Sequence, residues 1–318
     1  MTLPRVIFVD GLPGSGKSTT AQRLSLHLRR HGHAARWIFE HERDHPIFDE
    51  STARAVRENQ PGADPALFAR ALEGYRRLAE HLTASPAETI ILEGSLFQAA
   101  VGTQLLTETP DPEIDAFFDQ TLDTLTPHRS TLIYLRAADT AAALNQTAAN
   151  RGAWFPEFVV AHLAATPLGQ REKIQTWPDA LRVLTQHRIT SDRLAKRFPG
   201  PTLIADPQAQ TWATTNRQIT SFLDLPPLEE PPISDETAAY AGRYQAEGVD
   251  ETWEFRVAST GLELVGPPSA RLWARPEGGF EIEGLAVEIT FEDVTDGRAQ
   301  SISCAPRLAQ LPLCWHRV

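Results

Sequence analysis

The eight residues Gly11-Leu12-Pro13-Gly14-Ser15-Gly16-Lys17-Ser18 follow the spacing G-x-x-x-x-G-K-[ST]. Glycines at such positions let successive backbone N–H groups curl around an anionic phosphate. The lysine then reaches the outer phosphates and the hydroxyl offers itself to Mg²⁺. A helix starting near Ser18 adds the positive end of its dipole to the same place. A strand-like run, Arg5–Asp10, feeds the loop and a helical pattern, Ser18–His31, leaves it, which is the context the motif requires. Only three of the 30 basic residues are lysines, Lys17, Lys173 and Lys196, so a lysine standing at the motif's cationic position carries weight. The expected ligands are ATP and Mg²⁺. Gly11, Pro13, Gly14, Ser15, Gly16, Lys17, Ser18 and Thr19 would hold the nucleotide, and Ser18 the metal.

Stepping outward from the loop, short apolar runs predict five buried parallel strands: Arg5–Asp10, Ala35–Glu40, Thr89–Glu93, Thr131–Leu135 and Thr202–Ala205. Helical patterns lie between them at Ser18–His31, Asp64–Thr83, Ile114–Leu125, Thr140–Ala149, Phe158–Ala165 and Asp179–Leu184, with a last one near Gln208–Leu223. That alternation implies an α/β domain with a parallel sheet covered on both faces. The run Leu225–Ile233, with four prolines and two acids, reads as a stiff spacer. Beyond it the pattern changes to alternation (TWEFRVA, GLELVG, RLWARP, FEIEGLAVEITFEDV) with turn signals at short intervals, which predicts a small antiparallel barrel or sandwich. The expected organisation is a domain over 1–223, a linker over 224–234 and an all-β domain over 235–318.

The N-terminal 220 or so residues resemble the nucleoside and nucleotide kinases of the P-loop class, the group of thymidylate kinase and the deoxynucleoside kinases. Four stretches carry the resemblance: VDGLPGSGKST with Asp10 before the loop, Glu40 ending the second strand in WIFEHE, Glu93-Gly94-Ser95 after the third, and LIYLRAADTAAALNQTAANRG leading to Arg151-Gly152. The resemblance implies a three-layer P-loop NTPase sandwich with strand order 2-3-1-4-5, and transfer of the γ-phosphate of ATP to a small acceptor. Two departures stand out. Gly94 and Thr147 occupy positions where the group carries phosphate-neutralising arginines, which leaves open an acceptor less charged than a nucleoside monophosphate, such as a hydroxyl compound, beside a nucleoside or nucleotide. The C-terminal part weakly resembles the lipocalin-like barrels appended to some serine β-lactamase-related hydrolases; no nucleophilic serine motif accompanies it.

Within that frame each candidate has a role. Acids at strand C-termini of an open α/β sheet converge on one crevice. Glu93 is expected at the Mg²⁺ water shell or the acceptor hydroxyl, Glu40 as general base, and Asp10 on the acceptor side. Arg151 opens a segment, RGAWFPEFVVAHLAATPLGQREK, that interrupts the α/β alternation and reads as a mobile lid supplying a cation over the phosphates. His45, Trp154 and Phe155 are further acceptor-side candidates, the aromatics as stacking platforms and otherwise as packing. The pairs His27/His31 and His41/His45 have metal-ligand spacing, but no cysteine lies near them.

Composition narrows the classes further. The 318 residues are 42% hydrophobic and 22% charged with a formal net charge of −11, which fits a globular chain and disfavours nucleic-acid and anionic-membrane partners. No apolar run is long enough for a membrane-spanning helix. Two cysteines, Cys304 and Cys314, are too few for a disulfide framework, so a cytoplasmic setting is expected. The assembly is left open, a homodimer included. A nucleotide-dependent regulatory ATPase, with the β domain as an interaction module, is the alternative to a kinase.

Overall fold

Val6–Gly11 forms β1, and all six residues are buried, as expected for a strand covered on both faces. It pairs in parallel with β3 (Thr89–Glu93) on one side and β4 (Ser130–Leu135) on the other; β2 (Ala35–Ile38) and β5 (Thr202–Ala205) complete the sheet. The order is β2-β3-β1-β4-β5, the one the resemblance implies, with the phosphate-binding motif at the end of the central strand. This computed structural model describes residues 3–48, 66–228, 237–259, 261–266, 269–307 and 314–318. The predicted helix start Asp64-Pro65, most of the Pro-rich linker and the turn residue Thr260 lie outside the described residues. The chain divides into two units, Met1–Glu40 with Asp44–Leu228, and His41–Arg43 with Glu229–Val318.

Period-2 alternation places Val6, Phe8, Ile90, Leu92, Leu132 and Tyr134 in one core cluster. Over it pack α2 (Ala66–Ala84), α4 (Asp111–Leu125) and the end of α8 (Trp177–Ala195), supplying Tyr75, Leu78, Phe117, Phe118 and Leu194. The interleaved residues Ile7, Val9, Ile91 and Ile133 are equally buried on the other face, where α1 (Lys17–Arg30) contacts β1 and β3. Each such side chain contributes about 1.5–3 kcal/mol of burial. A ladder of ion pairs joins α4 to α8: Arg193 reaches Asp111 and Asp115, and Arg197 reaches Asp115 and Asp119.

Three elements differ from expectation. Between β3 and α4 lies a π-helix, Ser95–Val101, running directly into α3 (Gly102–Leu106). Its wide turn is marked by the Ala99 N–H donating to the Gly94 carbonyl, 2.8 Å. Helix α8 extends far beyond the predicted Asp179–Leu184, because Thr176 and Asp179 form a reciprocal capping box at its start and small polar residues continue its buried stripe through His187 and Ser191. The segment read as a lid carries more helix than the predicted Phe158–Ala165: α6 (Trp154–Ala164) and α7 (Pro167–Glu172) share a core with α5 (Thr140–Arg151) and α8, built on Leu144, Phe155, Val159, Leu163 and Leu168. Helix α9 (Trp212–Phe222) closes the unit.

The second unit is a closed antiparallel barrel of eight strands in the order β10-β11-β12-β13-β6-β7-β8-β9. The strands are β6 (Gly242–Ala246), β7 (Thr252–Ala258), β8 (Gly261–Leu264), β9 (Ala270–Ala274), β10 (Phe280–Ile282), β11 (Val287–Glu292), β12 (Ser301–Pro306) and β13 (Cys314–Arg317). Tyr244, Phe255, Leu262, Ile282, Ile289, Ile302 and Trp315 fill its interior. Trp253 stacks on Trp315 at 4.0 Å. Tyr240, from the short α10 (Thr237–Tyr240), stacks on Phe291 at 4.5 Å.

Candidate active site

The loop between β1 and α1 depends on three glycines. Gly14 and Gly16 adopt φ of +78° and +86°, where a β-carbon is strained, and each lies under a neighbour. A β-carbon on Gly14 would sit 2.2 Å from Thr147 Oγ1, and one on Gly16 2.2 Å from the Trp212 ring; at Gly11 it would meet the Leu135 carbonyl at 2.5 Å. Gly16 caps α1 without a side-chain oxygen, and no acid stands in the first turn, so neither satisfies the leading amides or the helix dipole. Lys17 is buried, with Nζ donating to the Leu12 carbonyl at 3.3 Å.

Glu93, at the end of β3, is inaccessible to solvent and faces this lysine at 4.0 Å. The Ser18 hydroxyl donates to Glu93 Oε1 at 3.1 Å, and the Glu40 N–H donates to Oε2 at 3.2 Å. Burial, and secondarily the neighbouring Glu40 charge, push the Glu93 pKa up to about 8 against the pull of Lys17. Lys17, Ser18, Glu40 and Glu93 therefore form one cluster at the strand C-termini. The Glu40 carboxylate accepts a hydrogen bond from Gln98 Nε2. Arg151, the last residue of α5, feels the Glu40 charge across the site; desolvation holds its pKa below the ordinary arginine value and Glu40 works against that.

Asp10 takes a different place from the acceptor-side role expected of it. Its buried carboxylate accepts four backbone N–H groups: Gly11 at 2.9 Å and Gln98 at 3.1 Å on Oδ1, Leu96 at 3.0 Å and Phe97 at 2.8 Å on Oδ2. Four bonds use a carboxylate's whole accepting capacity. Burial still raises its pKa to about 6. Asp10 thus ties the loop to the first turn of the π-helix. The far end of that turn is held by His187, whose Nε2 donates to the Phe97 carbonyl at 2.8 Å.

The remaining candidates lie apart from the cluster. His45 is buried, and its Nδ1 accepts the Ile47 and Phe48 N–H groups, both at 3.1 Å, so the ring closes a turn. Phe155 belongs to the α5–α8 core, and the Arg151 guanidinium lies over its ring at 4.9 Å. Trp154 is 56% exposed on α6 against Phe155 and Phe158. The His27 and His31 rings lie 4.4 Å apart and tilted by 55°, and among the described residues no group of three His, Cys, Asp or Glu could hold a metal.

A cavity of about 250 Å³ flanks the loop, with walls from Pro13, Gly14, Gln146, Asn150, Gln208 and Trp212. A larger one, about 330 Å³, lies at the opposite end of the strands among Pro4, Ser130, Pro201 and Phe222; apart from Arg129 its walls carry no charged side chain. Among the described residues no helix is long and apolar enough to cross a membrane. Gln98 and Trp212 have no signal in the sequence that marks them for the site, whereas Thr147 is marked only as a departure from the group that the sequence resembles. Gln98 enters because a π-turn faces it toward Glu40, and Trp212 because glycine at 16 leaves room for its ring.

No family model matches the chain, and no curated protein matches it. Among solved structures, the chain is similar to a crystal structure of the YorR protein from Bacillus subtilis in complex with phosphorylated GDP. The match is 11% identical, covers 68% of this chain and 92% of that one, and has a TM-score of 0.36. At that score the likeness carries no argument, and the assignment rests on the loop and the cluster beside it.

Proposed function

We propose that the first unit is a phosphotransferase that binds Mg²⁺-ATP and passes its γ-phosphate to a small acceptor. The observation that carries the reading is the meeting of a buried Lys17 and a half-buried Ser18 with a wholly buried Glu93, beneath a helix start that lacks a capping side chain. A lysine and a hydroxyl brought together beside a carboxylate at the mouth of a glycine loop suit a triphosphate and its metal. The loop amides and Lys17 would hold the β- and γ-phosphates, and the polar cavity between Gln146, Gln208 and Trp212 would take the base. Ser18 would hold Mg²⁺, with Glu93 on its water shell; the ion supplies positive charge over the phosphates.

Phosphoryl transfer asks the protein for positioning and electrostatic cover. Lys17 neutralises charge on the transferred group. Arg151, which feels the charge of Glu40, covers the outer oxygens. Glu40, two residues beyond the end of β2, takes the acceptor's proton. Lys17→Ala removes the one ammonium placed in the loop. Transfer, read as acceptor-dependent ADP release, should fall at least about a hundredfold, with the far-UV circular dichroism unchanged. Undiminished turnover in that variant removes the assignment. ADP release that needs no acceptor would instead favour a regulatory ATPase.

A further inference from the structure

We propose that the acceptor is a hydroxyl compound bearing no phosphate of its own, and that Gln98 is the residue that aims Glu40 at that hydroxyl; this rests on the phosphotransferase reading above. The first ground is steric. Gly94, directly after Glu93, has φ +62°, and a β-carbon there would stand 2.5 Å from Glu40 Oε2 and 3.3 Å from Lys17 Cε. No side chain, and so no cation, fits at this corner while the Glu40 carboxylate holds its place. That corner of the acceptor side therefore presents a carboxylate.

The second ground is the nucleophile's own chemistry. A phosphate ester is already ionised at neutral pH; it needs cations to approach a triphosphate and no base. A hydroxyl carries a proton that must leave as the new bond forms, and a carboxylate within reach is what it needs. In the step, the acceptor O–H bond breaks and its proton passes to Glu40. The acceptor oxygen bonds to the γ-phosphorus as the bond to the bridging oxygen breaks, and that electron pair stays on ADP.

The third ground is how firmly Glu40 is held. Its backbone N–H is bound to Glu93, and its carboxylate accepts from Gln98 Nε2. The carboxamide's orientation follows from the pairing, since its oxygen would repel the carboxylate. Gln98 is itself anchored through its backbone N–H on Asp10 Oδ1 at 3.1 Å, so the chain β1, Asp10, Gln98, Glu40 links the loop to the base. Gln98 is a positioning residue.

The test uses the full chain with Mg²⁺-ATP and acceptor pairs that differ by one phosphate ester: thymidine and thymidine 5′-monophosphate, adenosine and its 5′-monophosphate, glucose and glucose 6-phosphate. ADP release is followed, and the product is read by ³¹P NMR. The expected result is turnover with an unphosphorylated member and a phosphomonoester product. In Gln98→Leu, kcat should drop about tenfold, with the KM for ATP and the thermal midpoint unmoved; an unchanged kcat removes Gln98 from the assignment. Turnover favouring a phosphorylated member, with a new pyrophosphate linkage, overturns the inference. So does ATP binding with no member accepting. Calorimetric titration with a non-hydrolysable ATP analogue separates the levels: absence of binding overturns the nucleotide reading, whereas binding with the wrong acceptor overturns only this one.

Discussion

Substituting Gly94 by alanine tests the geometry of the carboxylate cluster most directly. Two costs act on the variant. The first is conformational: an L-residue at φ +62° costs about 1–2 kcal/mol. The second is steric: a β-carbon 2.5 Å from Glu40 Oε2 must displace that carboxylate or the strand end, at about 1–3 kcal/mol. Gly32, which ends α1 with φ +78° and nothing within 4 Å of a β-carbon, isolates the first cost. Gly32→Ala should therefore lose about 1 kcal/mol and Gly94→Ala about 2–5 kcal/mol, measured by urea denaturation followed by circular dichroism. At roughly 2–4 °C per kcal/mol, the gap in thermal midpoint is several degrees. The double variant Gly94→Ala/Glu40→Ala removes the atom that clashes, so its extra loss should shrink toward the Gly32→Ala level. Equal losses in Gly94→Ala and Gly32→Ala, or no coupling with Glu40, would refute the reasoning.

Two further outcomes follow from buried titratable groups. Asp10 and Glu93 have folded pKa values of about 6 and about 8, above their unfolded 3.8 and 4.5, so the folded chain binds more protons in between. Their contribution is complete below about pH 4 and is lost as pH rises through 6 and then 8; Glu93→Gln, in EDTA and without nucleotide, should flatten the loss between pH 5 and 8 seen in the urea midpoint. Burial pushes the Cys304 thiol up to about 12, whereas Cys314 is exposed. Thiol titration at pH 8 should count one fast cysteine and release the second only on denaturation; two fast thiols would contradict the packing of the barrel.

The loop and the five strands could be read from the sequence because each has a local cause, whereas the strand order came only from the resemblance. Glycine spacing marks the loop, and continuous apolar runs mark strands buried on two faces. The alternation from TWEFRVA onward likewise marks strands with one face inward. The acids were legible as strand ends, but their division of labour was not. Asp10 and Glu93 end neighbouring strands, yet Asp10 is consumed by the Gly11 amide and three amides of a π-turn whose five-residue spacing has no sequence period. Gln98 was missed for the same reason. Phe155 and Trp154 look alike as aromatics in a basic segment; only the packing of α6 on α8 sends one inward and the other to water. His45 was read by its neighbours in sequence, whereas its ring serves the amides of Ile47 and Phe48, two and three residues on.

The ring of eight strands has a consequence beyond its packing. Every strand in it has a hydrogen-bonded neighbour on each side, so it offers no open rung on which a foreign strand could be laid. Among the described residues, Tyr244, Phe255 and Trp315 stand inside it, so aromatic side chains take up space along its axis. A foreign strand would have to meet this unit across its outward rows or its loops, not along an edge.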